Sequence, residues 1–151
     1  DCVQKDFAEA ARWWRMAADQ GYADAQGNIG SMYANGQGVQ KDYAEAARWY
    51  RKAAEQGLVR AQCCLGGMYH NGEGVQRDDA EALRWARKAA AQGHAGAKDL
   101  IKMIEAHLRA SAATAPWKTA SPSGFAETNS SKAPPSTRSR SPSFCRRLAR
   151  C

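Results

Sequence analysis

The chain has 151 residues, of which 44% are hydrophobic, and its net charge is +7 at neutral pH. This length suits a single domain, and no apolar run is long enough to predict a transmembrane helix. The charge is uneven, because from residue 110 onward seven basic side chains accompany one acidic side chain, and the preceding residues are nearly neutral. A basic nucleic-acid-binding surface is therefore not expected in the first part of the chain.

A period of 36 residues organises that first part. Val3, Val39 and Val75 open three similar blocks, which begin VQKDFAEAARWWRMAADQG, VQKDYAEAARWYRKAAEQG and VQRDDAEALRWARKAAAQG. A repeat of this length is typical of helix-turn-helix units that stack into a solenoid. The predicted domains are three repeats and a tail, at residues 3–38, 39–74, 75–110 and 111–151.

Each block opens with a predicted helix, helix A. An Asp is followed three residues later by Glu, a capping box in which the Asp side chain accepts from free backbone N–H groups and the Glu reaches back to the Asp N–H. The helix is expected to end near a Gln, before a glycine in the left-handed C′ conformation. The predicted N-caps are Asp6, Asp42 and Asp78, and the predicted C′ glycines are Gly21, Gly57 and Gly93.

A second helix, helix B, is predicted over Ala23–Asn35 and Val59–Asn71, and each copy ends at an Asn-Gly-x-Gly turn. Gly30 and Gly66 interrupt helix B at the same place. Glycine inside a helix costs about 1 kcal/mol relative to alanine, so this repetition indicates a close contact between helices.

One face of helix A is apolar in successive repeats. At 3.6 residues per turn, Phe7, Ala10, Trp14 and Ala17 share this face. In the second repeat the same face consists of Tyr43, Ala46, Tyr50 and Ala53. A single helix pair cannot bury all its apolar surface, so about three units are needed for a stable stack.

The two ends of the array differ in sequence. In the third repeat Lys98, Lys102 and Glu105 put a more polar face on helix B, and the Asn-Gly-x-Gly exit is missing. Such a face is typical of a terminal capping helix. The first repeat has no comparable cap, and we expect that further repeats precede it.

The motif D-[FY]-A-E-A-A-R-W-[WY]-R-x-A-A-[DE]-Q-G, followed by A-Q and then by [IL]-G-x-M-Y-x-N-G-x-G-V, resembles the Sel-one-like repeat family over residues 3–109. The resemblance implies an all-α fold, an α/α solenoid with a right-handed superhelix of about three repeats, followed by a disordered tail. It also implies a protein–protein interaction scaffold or adaptor, with helix A lining a concave groove.

A cysteine-rich bacterial branch of this family joins helices A and B by disulfides, and some members bind or hydrolyse β-lactams. Here Cys63 and Cys64 lie in helix B, but the matching end of helix A carries Ala53 and Ala54. The missing partner cysteines argue against the β-lactam hydrolase alternative. Small, buried side chains are the preferred interpretation of the two thiols.

Identical or similar residues recur at the same positions of helix A in each repeat. Stacking of the repeats would place these residues side by side, as columns that cross the A helices. Arg and Trp are favoured at the centres of protein interfaces, so the columns are candidates for binding a peptide or protein partner. The alternative interpretation is Glu–Arg pairs on a solvated face, with the tryptophans in the core. The candidate partner-binding residues are Glu9, Arg12, Trp13, Met16, Glu45, Arg48, Trp49, Lys52, Glu81, Arg84, Trp85 and Lys88.

No motif indicates catalysis or a bound cofactor. His70, His94 and His107 are scattered and lack the spacing of metal ligands. No pairing of nucleophile and base is recognisable, and the glycines follow helix ends rather than a phosphate-binding pattern. We therefore expect no enzyme activity, no cofactor, no metal and no membrane insertion.

The tail is rich in Ser, Pro and Arg, a composition typical of disorder. Its basic residues make it an alternative site for nucleic acid or another acidic partner, whose binding would weaken strongly with salt. The sequence leaves the compartment open between the cytoplasm, the periplasm and secretion, because it does not show whether a leader was removed.

Overall fold

The computed structural model describes residues 2–113, and this part of the chain is entirely helical apart from its turns. Short turns join the helices into three successive pairs, as the repeat predicts. The helices are α1 (Cys2–Asp19), α2 (Ala23–Asn35), α3 (Tyr43–Glu55), α4 (Val59–Asn71), α5 (Asp79–Ala91) and α6 (Ala95–Ala113).

The predicted N-caps are confirmed for α3 and α5. The Asp42 carboxylate accepts from the backbone N–H groups of Ala44 and Glu45, at 2.8 and 3.2 Å, and Asp78 caps α5 in the same way. The other predicted bond of the capping box, from the Asp42 N–H to the Glu45 side chain, is wrong. The backbone N–H of Asp42 donates instead to the carbonyl of Tyr33 in the preceding helix B, at 3.0 Å, so Glu45 is free to pair elsewhere.

The N-cap predicted at Asp6 is also wrong. Helix α1 begins at Cys2, so Asp6 lies inside the helix and is exposed. Asp42, by contrast, is held in an extended conformation, and its N–H bonds the Tyr33 carbonyl.

The helix ends follow the glycine pattern. Gly57 has a φ of 95° and Gly36 a φ of 69°, both in the left-handed region that ends a helix. The N–H of Gly36 donates to the carbonyl of Met32, and the N–H of Leu58 donates to that of Ala53. These bonds satisfy carbonyl groups that have no partner within their own helices.

The helices stack in chain order. Each of α2 and α4 packs between the helix A of its own repeat and the helix A of the next one, while α6 packs on α5 and touches α4. The core is built from alanines around a few larger side chains, with Ile29, Leu65, Met68, Leu100 and Ile104 almost fully buried. The fold is therefore an all-α solenoid.

Two buried glutamines connect successive repeats. Gln26 donates to the carbonyl of Ala18 at 3.1 Å and accepts from the side chain of Gln56 at 2.7 Å. Gln62 repeats this role, because it donates to Ala54 and accepts from Gln92 at 3.0 Å. Every interface between repeats in residues 2–113 thus contains a glutamine pair.

The last helix runs three residues past the predicted end of the third repeat, to Ala113. The remainder of the predicted tail, residues 114–151, lies outside the described residues. None of the helices between residues 2 and 113 combines the length and hydropathy needed to cross a bilayer.

Candidate groove on the A helices

The predicted columns lie on α1, α3 and α5, but their members differ in exposure. Arg12, Arg48 and Arg84 are all exposed, as the column interpretation requires. The tryptophan column is not uniform, because Trp13 is 63% exposed while Trp49 is 6% exposed. Trp49 therefore belongs largely to the core, whereas Trp13 presents its ring to solvent.

The column arginines of the second and third repeats each pair with a glutamate on the same helix. Arg48 Nη1 lies 2.8 Å from Glu45 Oε1, and Arg84 pairs with Glu81 in the same register. Exposed pairs of this kind contribute about 0–1 kcal/mol. The guanidinium groups remain accessible, since Arg48 keeps 77% of its side-chain surface exposed.

The lysines of the column cover the tryptophans. Lys52 Nζ lies 4.4 Å from the ring of Trp49, and Lys88 Nζ lies 4.3 Å from the ring of Trp85, both within cation–π range. The Nε1 atom of Trp49 is buried without a hydrogen-bond partner in the structure. The first repeat has Met16 at the lysine position, so its tryptophan lacks a cationic cover.

A pocket opens between α3 and the turn that precedes α5. Its volume is about 420 Å³, and Ala44, Ala47 and Val75 supply apolar walls. Three cationic side chains line it beside a single carboxylate, that of Glu55. The cations are Arg48, Arg51 and Lys52.

Arg51 was not among the predicted candidates. Its guanidinium lies 5.8 Å from the Tyr69 ring and also bonds the Tyr69 hydroxyl, which joins helix A to helix B of one repeat. Arg15 stands over Tyr33 in the same way, and Arg87 faces Glu105 at 3.8 Å in the third repeat. The recurrence of Arg at these positions every 36 residues is a signal that could have identified this second column.

The histidines are less scattered in space than in sequence. His70 and His107 meet edge to face, with ring centroids 5.6 Å apart, and His70 Nδ1 lies 2.7 Å from Asp79 Oδ1. Arg77 lies against His107 and Asp79, so the cluster links α4, α5 and α6. Across residues 2–113 no group of His, Cys, Asp or Glu is arranged to hold a metal ion.

Cys63 and Cys64 are buried in α4, as predicted, at 0% and 6% exposure. They face the packed interior of the stack rather than the groove. Cys64 belongs to the same buried cluster as Trp49 of the tryptophan column.

Stacked helical hairpins with a 36-residue period define a helical repeat scaffold. The family model for the Sel1 repeat matches residues 1–22, 23–58 and 59–94, and the chain belongs to this family. The family units begin at helix B, so they divide the same period at a different point from the repeats predicted above.

Solved structures of Sel1 repeat proteins resemble this chain. The c5321 protein, a protective antigen of uropathogenic Escherichia coli strains displaying an SLR fold, is 50% identical, with 62% of this chain and 20% of that chain covered and a TM-score of 0.60. A Sel1 repeat protein from Oxalobacter formigenes is 47% identical, with coverages of 62% and 71% and a TM-score of 0.60.

Helicobacter pylori cysteine rich protein B is 25% identical, with coverages of 61% and 69% and a TM-score of 0.58. No significant match was found among curated proteins. The chain spans only a fifth of the length of the c5321 protein.

Proposed function

We propose that this chain is a protein-interaction scaffold whose A-helix columns bind a peptide segment of a partner protein. The observation that carries the proposal is the pocket of about 420 Å³ beside α3, where apolar walls and three cations converge. Pockets that combine apolar surface with a few placed polar groups are typical binding sites.

The pocket favours a bound peptide in which an acidic residue is next to an apolar one. Arg48, Arg51 and Lys52 outnumber Glu55, so the local field attracts a carboxylate. Arginine binds a carboxylate through two parallel hydrogen bonds, and Ala47 and Val75 offer a surface for a neighbouring apolar side chain. The exposed Arg48–Glu45 pair can be exchanged at little cost, because such pairs contribute little to stability.

The columns place further arginine and tryptophan side chains on the neighbouring repeats. Arg12 and Trp13 lie before the pocket and Arg84 after it, at intervals of 36 residues. Repetition of one binding element along a stack suits a partner that runs across several repeats. The proposed action is binding and assembly, because these side chains supply charge and apolar contact rather than a nucleophile.

The proposal is tested by selecting peptides from a random displayed library on the full chain. We expect enrichment of sequences with Asp or Glu beside an apolar residue. Binding of a selected peptide, measured by fluorescence anisotropy, should weaken at least about tenfold in the Arg48→Glu/Arg51→Glu variant, since two charge-assisted contacts become repulsive.

The matched control is Arg60→Glu/Lys98→Glu, which makes the same change in net charge at exposed sites on α4 and α6. This variant should bind within about twofold of the original chain, because neither side chain lines the pocket and exposed charges are screened. Selection of peptides without acidic residues, or equal loss in both variants, would contradict the proposal.

A further inference from the structure

The sequence after the last described helix is unevenly charged. Residues 114–151 contain seven basic side chains and one acidic side chain, that of Glu127. Their longest stretch without a basic residue is 119–131, TASPSGFAETNSS, and this stretch contains the glutamate. It is therefore the one stretch of these residues that a cationic surface attracts through a net opposite charge.

The same stretch contains a residue pattern that suits the pocket beside α3. Phe125 and Glu127 are two residues apart, and an extended peptide presents residues two apart on the same side. The pocket combines apolar walls with three cations and a single carboxylate. A segment with one aromatic ring and one carboxylate on the same side thus matches both components of the pocket.

The last helix ends on the side of the solenoid where this pocket lies. His107 of α6 contacts Arg77, with 2.5 Å between Nε2 and Nη2, and Arg77 comes two residues after Val75 of the pocket wall. Helix α6 continues from His107 to Ala113, a rise of about 9 Å. The chain therefore leaves α6 close to the turn that supplies one wall of the pocket.

The chain after α6 is long enough to reach the pocket. Helix α6 touches α4, and α4 packs on α3. Packed helices are about 8–10 Å apart, so two such steps and the end of α6 amount to about 30 Å. The chain from Ala113 to Glu127 spans up to about 46–50 Å when it is extended.

We propose that residues 125–127 of the same chain bind in the pocket beside α3 and compete there with a partner peptide. The Phe125 ring packs on the apolar wall at Val75, and the Glu127 carboxylate accepts hydrogen bonds from Arg48 and Lys52. The inference rests on the proposed function, because it concerns the regulation of the same pocket.

Tethering makes even a weak contact of this kind effective. A segment joined by a short connection is present at an effective concentration of about 1 mM. If the free segment binds with a Kd of about 0.1 mM, the tethered segment occupies roughly nine tenths of the pockets and weakens partner binding about tenfold. At micromolar protein the tether also favours the chain's own segment over that of a second copy.

The direct test uses a carbodiimide, which joins a carboxylate to an amine without a spacer. Among the residues that line the pocket, Lys52 supplies the one amine. The full chain at about 1 µM is treated, and the joined peptides are identified by mass spectrometry. We expect Glu127 to be joined to Lys52 within one chain, at least about fivefold more often than to Lys88 of α5, because docking raises the local concentration at one amine.

Lys88 is an informative comparison, because it occupies the position of Lys52 in the next repeat and its helix packs directly on α6. An unselective tail would meet it at least as often. Equal yields at the two lysines, or no link from Glu127 to Lys52, would overturn the inference. A link found only in covalent dimers would assign the pocket to the tail of a second copy and would also overturn it.

The consequence for partner binding is tested with a matched pair of variants in the tail. Phe125→Ser/Glu127→Gln should bind a library-selected peptide at least about fivefold more tightly than the original chain, because the internal competitor is lost. The control Phe144→Ser/Ser141→Lys also removes one phenylalanine and also adds one positive charge. It should bind within about twofold of the original chain.

Failure of this inference differs in its outcome from failure of the proposed function. Equal binding of a selected peptide by the original chain and by Phe125→Ser/Glu127→Gln, without a link from Glu127 to Lys52, would overturn the inference and leave the pocket as a partner site. The link in the absence of any library peptide that binds either protein would support the inference and contradict the proposed function.

Discussion

At the scale of single residues, glycines within helix B have different roles even where they are adjacent. Gly30 lies against the Tyr50 ring, where an added Cβ would approach to 3.1–3.3 Å. Gly66 lies against the backbone of α5, with Ala82 O at 3.1 Å from such a Cβ. Gly67, the next residue, has no atom within 4 Å of the added Cβ. Only the first two are therefore required by close packing.

The substitutions Gly30→Ala and Gly67→Ala together distinguish the effect of packing on stability from that of helix propensity. Gly67→Ala should raise the free energy of unfolding by about 0.5–1 kcal/mol, because alanine favours the helix and meets no obstacle. Gly30→Ala should lower it by about 1 kcal/mol, because crowding of the buried Tyr50 ring exceeds the same propensity gain. Urea denaturation measures both, and stabilisation by both substitutions would show that Tyr50 has room to move.

At the scale of elements, two nearly identical segments begin their helices at different positions of the repeat. The segments VQKDFAEAARW and VQKDYAEAARW differ by one aromatic residue, yet α1 begins at Cys2 and α3 begins at Tyr43. The second start depends on the bond from Asp42 N–H to the Tyr33 carbonyl. The cap at Asp42 thus occurs together with a contact to the preceding repeat, and this residue is extended.

The alanine substitutions Asp42→Ala and Asp6→Ala test this dependence. Asp42→Ala should lower the free energy of unfolding by about 1 kcal/mol, because two backbone N–H groups at the start of α3 lose their acceptor. Asp6→Ala should change it by less than about 0.5 kcal/mol, since the side chain is exposed on a helix surface. Thermal unfolding followed by circular dichroism compares the two, and equal losses would place a working cap at Asp6.

At the scale of the whole molecule, the repeats are coupled through buried polar contacts as well as apolar packing. Gln62 is 4% exposed, and it bonds both the end of its own helix A, at the Ala54 carbonyl, and Gln92 of the next repeat. In repeat proteins such interfaces between neighbours supply most of the cooperativity. The glutamine pairs are therefore specific sites at which unfolding of one repeat is transmitted to the next.

Replacement of this glutamine should weaken the coupling. Gln62→Ala is expected to lower the free energy of unfolding by roughly 2–3 kcal/mol, because the buried Ala54 carbonyl loses its donor and Gln92 loses its acceptor. A broader urea transition should accompany the loss as the repeats unfold less cooperatively. Gln20→Ala changes the first-repeat counterpart of Gln56 and Gln92, which is exposed. This variant should change neither the midpoint nor the slope, and a comparable effect there would contradict the assignment.

Some features of the candidate groove could be predicted from the sequence repeat, and others depend on tertiary packing. The 36-residue recurrence was sufficient to predict the column residues of helix A, and it contains the overlooked Arg15, Arg51 and Arg87 in the same form. The i, i+3, i+4 spacing of Arg48, Arg51 and Lys52 already places them side by side on α3. What the sequence could not show is that Val75, from the turn before α5, would add an apolar wall beside them. The role of these residues in binding stays a prediction.

The sequence by itself determined the period, the helices of the second and third repeats and the glycines that end them, because these features depend on contacts a few residues apart. The tertiary structure alone decided the bond from Asp42 to Tyr33, the different exposure of Trp13 and Trp49, and the meeting of His70 with His107. Each of these depends on which helix lies beside the residue. The sequence of helix A is similar in every repeat, whereas the helices that lie beside it are not.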